Sequence, residues 1–373
     1  MDERLASILA SIPVHELARV AEGALGTAGV AIDGSPKFTE ITNPHAEDRT
    51  IGIVKIAGTA SGQRWSAVAK LVDLAVPAPP RLKGTAPEHE ETVYEQGYFS
   101  GDGRPFRPAR CYLVSRPSPH LKVIWLEDLT GARGPPFSLD QIAQIARHLG
   151  EWNGHQAALP QAVSFPIGRD CYALRFLSWD HAAFGARLRN LEEHPTVHAL
   201  YRHHPTGMAA TFLSLMETLL ARAATHPHSL AFGDCSAGNL FYLPDETVAI
   251  DWASLTDDPL GVDGGCSVGS CTTWGPDYAL VVRHERELFE MYLAGLRSSG
   301  WQFDPRDVRR AAFGQLGHYL LNLMTMPVMV VDGMHRAFLE KRFGLQLEEI
   351  PERGAVAIDM MPSYIEELQD LLA

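Results

Sequence analysis

The sequence predicts an α+β fold in two lobes, and three observations carry that expectation. At 373 residues the chain exceeds what one hydrophobic core usually serves. Its strand-like runs gather in the first third, while helical periodicity dominates after residue 138. Between them, 46% hydrophobic and 21% charged residues are the composition of a globular protein with material for a large core.

In chain order, Leu5, Ile8, Leu9, Ile12, Leu17 and Val20 fall on one helical face over Leu5 to Ala24, with Pro13 dividing the run into two short helices. Three strands follow at Lys37 to Thr42, Thr50 to Ala57 and Trp65 to Val72, joined by Asn43-Pro44-His45 and by Gly58 to Gly62, and antiparallel pairing is the simplest arrangement. The third contains Ala67-Val68-Ala69-Lys70, which points one long cation off a sheet, either to a ligand or as an edge-strand solubility charge. After a Pro-rich connector, Val76 to Pro87, a helix begins with acids in its first turn, Glu88 to Gln96, as the helix dipole favours. Strands at Ala109 to Ser115 and Leu121 to Leu126 lead into the acidic exit Glu127-Asp128-Leu129. Ser138 and Gln141 form a capping box for a helix reaching about Gln156. Another helix spans about Thr206 to Ala224. The Gly-rich run Gly261 to Gly269 is expected to be a flexible turn, and residues 277–373 to be mostly helical.

The stretch with most chemistry in it is Phe232 to Trp252, FGDCSAGNLFYLPDETVAIDW. Apolar runs flank a turn at Pro244-Asp245-Glu246, so a β-hairpin sets Asn239, at the start of one strand, near Asp251, at the end of the other. Asp234 lies in the loop leading in. Two carboxylates and an amide oxygen form an all-oxygen site with few protein ligands, which suits Mg2+ completed by substrate phosphates and water. Phosphoryl transfer needs this set: an Asp to accept a hydroxyl's proton, and an Asn and a second Asp for the metal. Turn chemistry explains each residue singly but not the set.

On these residues the chain resembles the aminoglycoside phosphotransferase and choline kinase family, whose fold is protein-kinase-like. The family pattern H-G-D-x-x-x-x-N, hairpin, I-D-W appears as Phe232-Gly233-Asp234, Asn239 and Ile250-Asp251-Trp252, with Phe232 where His is usual. The resemblance implies a nucleotide-binding lobe over residues 1–128, with a small antiparallel sheet, and a mainly helical catalytic and acceptor lobe over 129–373. It implies ATP and Mg2+ as cofactors, Asp234 as catalytic base, and Asn239 and Asp251 as metal ligands. Lys70 would orient the phosphates, paired with Glu90 (Glu91 being the other candidate), and Glu127, Asp128 and Leu129 would form an adenine-binding hinge. The phosphate-covering loop would fall at Thr42 to Thr50, which lacks glycine. Asp263, in the family's G-D-P-L-x-x-D segment, would brace the catalytic loop. Asp257 and Asp258 would face a cationic acceptor or cap a turn, and Cys171 to Leu188, with Trp179, Asp180 and Phe184, would contribute to an acceptor pocket or, as aromatics at helical spacing more often do, to the core.

A net charge of −13 argues against nucleic acid as partner. Five scattered cysteines suggest a reducing compartment, hence a cytoplasmic protein, and Cys235 reads as a buried inert thiol. The first residues lack the basic n-region and long apolar core of a signal peptide, so none is expected, and no stretch approaches membrane-spanning length. The expected function is ATP-dependent phosphorylation of a small-molecule hydroxyl, on an acceptor that is aminoglycoside-like, choline-like or a sugar or natural product. The alternatives are a nucleotide-binding pseudokinase scaffold, suggested by Phe232 and the Gly-free loop, and a metal-dependent hydrolase.

Overall fold

The computed structural model describes residues 3–41, 49–76, 89–95, 104–158, 168–169, 194–195, 198, 207–223, 225–274, 278–331 and 349–373. The phosphate-loop candidate at 42–48, most of the Pro-rich connector and the acceptor stretch 171–188 lie outside the described residues. The chain divides into two compact units, residues 1–81, 87–101 and 108–132 against residues 82–86, 102–107 and 133–373.

The first unit opens with α1 (Glu3–Ala10) and α2 (Val14–Leu25), separated at Pro13 as its fixed φ and missing N–H require. Strands β1 (Ile32–Ile41), β2 (Thr50–Ala60), β3 (Gln63–Asp73), β5 (Cys111–Ser118) and β6 (Leu121–Glu127) form an antiparallel sheet in the order β1-β2-β3-β6-β5. The β2–β3 connection is tighter than expected from Gly58: Ala60 pairs with Gln63, and Ser61 and Gly62 alone make the turn, both at positive φ. Alternation along the strands sends Val54, Ile56, Ala67, Ala69, Leu71, Val123 and Trp125 into a core with Leu5, Leu9, Leu17 and Val20. The intervening Lys55, Lys70 and Lys122 therefore leave the sheet on the opposite face. The short helix α3 (His89–Glu95) packs on β5 and supplies acids to two of these lysines.

The second unit is mainly helical. It holds α4 (Leu139–Ala158), α5 (Gly207–Ala223), α6 (Val262–Trp274), α7 (Tyr278–Arg283), α8 (Glu285–Ser298), α9 (Pro305–Val331) and α10 (Glu349–Leu372). The capping box opens α4: the Ser138 N–H donates to Gln141 Oε1 at 2.9 Å, and the Gln141 N–H to Ser138 Oγ at 3.4 Å. Phe212, Met216 and Leu219 of α5 meet Phe313, Leu316 and Leu320 of α9 and Ile358, Met361 and Tyr364 of α10 in the main core. Two small sheets complete the unit: β4 (Phe106–Pro108) with β10 (Glu246–Ala249) and β9 (Leu240–Leu243), and β7 (Gly168–Arg169) with β11 (Thr256–Pro259) and β8 (His228–Ala231).

The Gly-rich run corrects the sequence expectation. It is not a flexible turn but most of α6. A Cβ on Gly265 would stand 2.0 Å from the Ala312 carbonyl oxygen, and one on Gly264 2.8 Å from the Tyr292 ring. The glycines are there so that α6 can lie directly against α9 and α8, and that packing outweighs their poor helix propensity. Among the described residues no helix is long and apolar enough to cross a membrane.

Candidate active site

The loop after β8 is fixed from beneath by Asp263, in the first turn of α6. Its Oδ2 accepts the Phe232 N–H at 2.8 Å and its Oδ1 the Gly233 N–H at 2.9 Å. Asn153 of α4 donates to Oδ2 at 3.0 Å and is held in turn by the Tyr292 hydroxyl at 2.9 Å. Burial pushes the Asp263 carboxyl above its ordinary range, outweighing the bonds it accepts. Gly233, at φ 80°, faces the Ser254 carbonyl, which a Cβ would meet at 2.0 Å.

Asp234 emerges half-buried from this braced turn, and among the described residues none hydrogen-bonds to its carboxylate. The next residue, Cys235, is fully buried, and burial together with neighbouring Cys266 and Asp263 drives its thiol well above the usual range, so it is not a nucleophile. All four described cysteines are free thiols. A 3-10 turn, Ala237–Asn239, is pinned to α6 where the Ala237 N–H meets Ser270 Oγ at 3.1 Å.

Three contacts then gather the polar residues. Asn239 Nδ2 donates to the Asp234 carbonyl at 3.2 Å, the Ile250 N–H donates to the Asn239 carbonyl at 3.0 Å, and the hairpin pairs Leu240 with Ala249. Asp251 is thereby set beside Asn239. With its nitrogen occupied, the Asn239 amide offers Oδ1 as its acceptor. Asp251 is left-handed, at φ 63° and ψ 63°; among the described residues only Ser61 shares positive φ without being glycine. Such strain persists where the surroundings impose it. The next residue, Trp252, is firmly held: its indole N–H donates to the Ala249 carbonyl at 3.1 Å, and its buried ring lies 4.6 Å from Phe232 and 5.8 Å from Trp152. Phe232 is thus one wall of an aromatic cluster with Phe106, Trp152 and Trp252.

The other predicted residues belong to the first unit. Lys70 Nζ lies 2.7 Å from Glu90 Oε2. Glu91 is engaged elsewhere, with Lys122 at 2.7 Å and Arg116 at 2.5 Å. In the run Glu127 to Leu129 both carboxylates have internal partners. Glu127 exchanges bonds with the Arg110 backbone, giving its N–H to the carbonyl at 2.9 Å and receiving the amide at Oε1 at 2.8 Å. Asp128 pairs with Lys55 at 2.7 Å and accepts the Thr130 N–H and hydroxyl. Burial works against the charge on Asp128, but Lys55, Thr130 and Ser66 outweigh it and bring the carboxyl down to about 2. The Leu129 carbonyl accepts from the Ala132 N–H at 2.8 Å.

Asp257 and Asp258 sit in strand β11, not in a turn. Asp258 is buried and accepts from the Thr256 hydroxyl at 2.6 Å, and Asp257 lies 3.3 Å from His228. Sequence reasoning passed over Asn153, Tyr292, Lys55, Lys122 and Arg116. Lys55, inside Ile53-Val-Lys-Ile-Ala57, and Lys122, inside Leu121-Lys-Val-Ile-Trp-Leu126, carried a signal comparable to that of Lys70.

Among the described residues no group of three or more His, Cys, Asp or Glu side chains could hold a metal ion. Asn239 and Asp251 do fit a hard cation that draws most of its shell from phosphate and water, since both offer oxygen and both are fixed by backbone contacts.

The fold is the protein-kinase-like fold. A solved aminoglycoside phosphotransferase from Alicyclobacillus acidocaldarius shares it, at 13% identity over 94% of this chain and 96% of that one, with a TM-score of 0.52. An ethanolamine kinase from Plasmodium vivax aligns at 11% identity over 89% of this chain and 83% of its own, TM-score 0.47. A spectinomycin phosphotransferase, solved with ADP and spectinomycin, aligns at 13% identity over 95% and 99%, TM-score 0.45. The fold assignment rests on the first of these. No family model and no curated protein matches the sequence.

Proposed function

We propose that this chain is a phosphotransferase that moves the γ-phosphoryl group of ATP to a hydroxyl of a small molecule. The observation that carries the reading is the gathering of Asp234, Asn239 and Asp251 by the loop and the β9–β10 hairpin. It is supported by the contrast between Asp234, whose carboxylate no described residue engages, and Asp258 and Asp263, which are internally bonded.

In this reading Asp234 orients the acceptor hydroxyl and takes its proton as the new O–P bond forms and the bond to the ADP oxygen breaks. Asn239 Oδ1 and the Asp251 carboxylate would hold Mg2+, which when bound would neutralise charge on the nucleotide phosphates. Lys70, held by Glu90, orients the nucleotide phosphates. The hinge run Glu127 to Leu129 receives adenine through backbone groups, because its carboxylates are committed to Arg110 and Lys55. Residues 1–128 then serve the nucleotide, and 129–373 serve catalysis and the acceptor. The work is positioning and electrostatics, without a covalent enzyme intermediate. Phe232 no longer favours a scaffold role, since its ring has a packing task.

The test is ADP release with MgATP over a panel of aminoglycosides, choline-like amines, sugars and other hydroxyl compounds. Acceptor-stimulated turnover that Asp234→Asn nearly abolishes is the expected result. A wild-type chain that fails to bind MgATP would overturn the proposal.

A further inference from the structure

Helix α3 has seven residues, too few to be stable by itself. Val93 is its one buried apolar side chain among the described residues. What else it buries is charge, Glu90 and Glu91, at 4% and 5% exposure. Adjacent helical positions diverge by about 100°, so the two acids reach different strands. Glu90 meets Lys70 of β3. Glu91 forks to Lys122 of β6, 2.7 Å away, and to Arg116 of β5, 2.5 Å away.

The two attachments are unequal. The two acids are almost equally buried, Glu90 at 5% and Glu91 at 7% side-chain exposure, but their lysines differ: Lys70 is 17% exposed and Lys122 4%. Burial opposes the Glu91 charge, yet the two cations still hold its carboxyl below the ordinary range. Removing one partner of a buried pair strands the other charge, so the Glu91 contact resists opening more than the Glu90 contact. In the register of β3 and β6, Val72 faces Lys122 and Lys70 faces Ile124. Lys70 and Lys122 are therefore diagonal neighbours on one face of the sheet, and α3 threads its two acids between them.

We infer that Glu91 is a positioning residue: its bonds to Lys122 and Arg116 hold α3 where Glu90 meets Lys70, so the lysine is oriented before any nucleotide arrives. The nucleotide-orienting pair is then pre-assembled, and α3 is not a switch. The consequence for Lys70 rests on the function proposed above, but the anchoring of α3 does not.

The experiment is therefore run first without ligand, on the full chain. Amide hydrogen exchange is measured at Val93 to Glu95 in the wild type, Glu90→Gln and Glu91→Gln. Glu91→Gln is expected to speed exchange about tenfold or more, and Glu90→Gln less than about threefold. Unchanged exchange in α4 and α9 reports that the rest of the chain is folded. Should Glu91→Gln not fold, Arg116→Met removes the more exposed arm of the fork and is expected to speed exchange about two- to threefold. Equal effects of Glu90→Gln and Glu91→Gln, an unprotected α3 in the wild type, or no change in Arg116→Met would overturn the inference.

MgATP affinity supplies the second measurement, one that a merely stabilising residue would not move in the same way. Glu91→Gln weakens binding, and adding it to Glu90→Gln has little further effect, because both act through Lys70. Additive losses would instead mean that Glu91 does not act through Glu90. A wild type that does not bind MgATP would sink the proposed function and leave the exchange result to decide the anchoring.

Discussion

Gly233→Ala isolates the rigidity on which the candidate active site depends. Its effect can be worked from two contacts. At φ 80° an alanine would be held in left-handed backbone, at a cost of about 1 kcal/mol. Its Cβ would then stand 2.0 Å from the Ser254 carbonyl oxygen, where real Cβ contacts essentially never fall under 3.0 Å. Something must move by about 1 Å, and overpacking of that kind costs about 1–3 kcal/mol. The loop cannot retreat freely, because the N–H groups of Phe232 and Gly233 are both bonded to buried Asp263. The expected destabilisation is about 2–4 kcal/mol in denaturant unfolding followed by tryptophan fluorescence. A shift of that size in the segment carrying Asp234 should also lower kcat for ADP release about 100-fold.

Gly238→Ala is the matched control. It lies five positions further along the same loop, in the 3-10 turn, with no atom within 4 Å of an added Cβ. Its stability should stay within about 0.5 kcal/mol of the wild type. If Gly233→Ala costs no more than Gly238→Ala, the loop yields to the added methyl. The bracing argued from Asp263 and Ser254 would then be wrong.

Three further substitutions probe the supports of the two units. Asp128 sits at about 2, below its ordinary 3.8, so its bonds to Lys55, Thr130 and Ser66 add stability above the ordinary value that is lost as pH falls through the folded one. At ~1.4 kcal/mol per unit, discounted because Lys55 is partly exposed, Asp128→Asn should cost about 1–2 kcal/mol near neutral pH. That deficit should narrow below about pH 5, whereas a pH-independent deficit in unfolding experiments would rule out the ion pair as its source. Asp263→Asn places an amide N–H against a buried backbone N–H, so a loss of about 2–4 kcal/mol is expected, with kcat falling more than KM rises. A change confined to KM would count against its bracing role. Gly265→Ala drives a methyl into the Ala312 carbonyl and should destabilise the chain by about 2–4 kcal/mol, and a neutral thermal unfolding result would show that α6 and α9 can separate there.

The elements that were legible in the sequence are those whose signal is local. Pro13 divides α1 from α2, and Ser138 with Gln141 opens α4, because each acts within one turn of helix. The hairpin that sets Asn239 beside Asp251 could be read from two short apolar runs and the turn between them. Tertiary contacts with no local trace were hidden. Glycines at 261–269 look like a turn until Tyr292 and Ala312 are seen where their side chains would be. Likewise the partners of the Glu127 and Asp128 carboxylates, Arg110 and Lys55, leave no trace in the local sequence. Asp257 and Asp258 read as acceptor-facing or turn-capping acids because their strand partners, Leu230 and Ser229, lie far back in the chain.

Phe232 shows how two supports can divide the task of holding one loop. A histidine there could brace the loop through its polar ring, which a phenylalanine cannot do. In this chain the polar bracing comes from below, through Asp263 with Asn153 and Tyr292 behind it, and every atom of that network is buried. Position 232 is then free to be apolar, and its ring closes on Trp252, the residue that follows the left-handed backbone of Asp251. Phe232 therefore serves both halves of the candidate site: its backbone N–H is tied to Asp263, which braces the loop that presents Asp234, and its ring abuts the residue after Asp251.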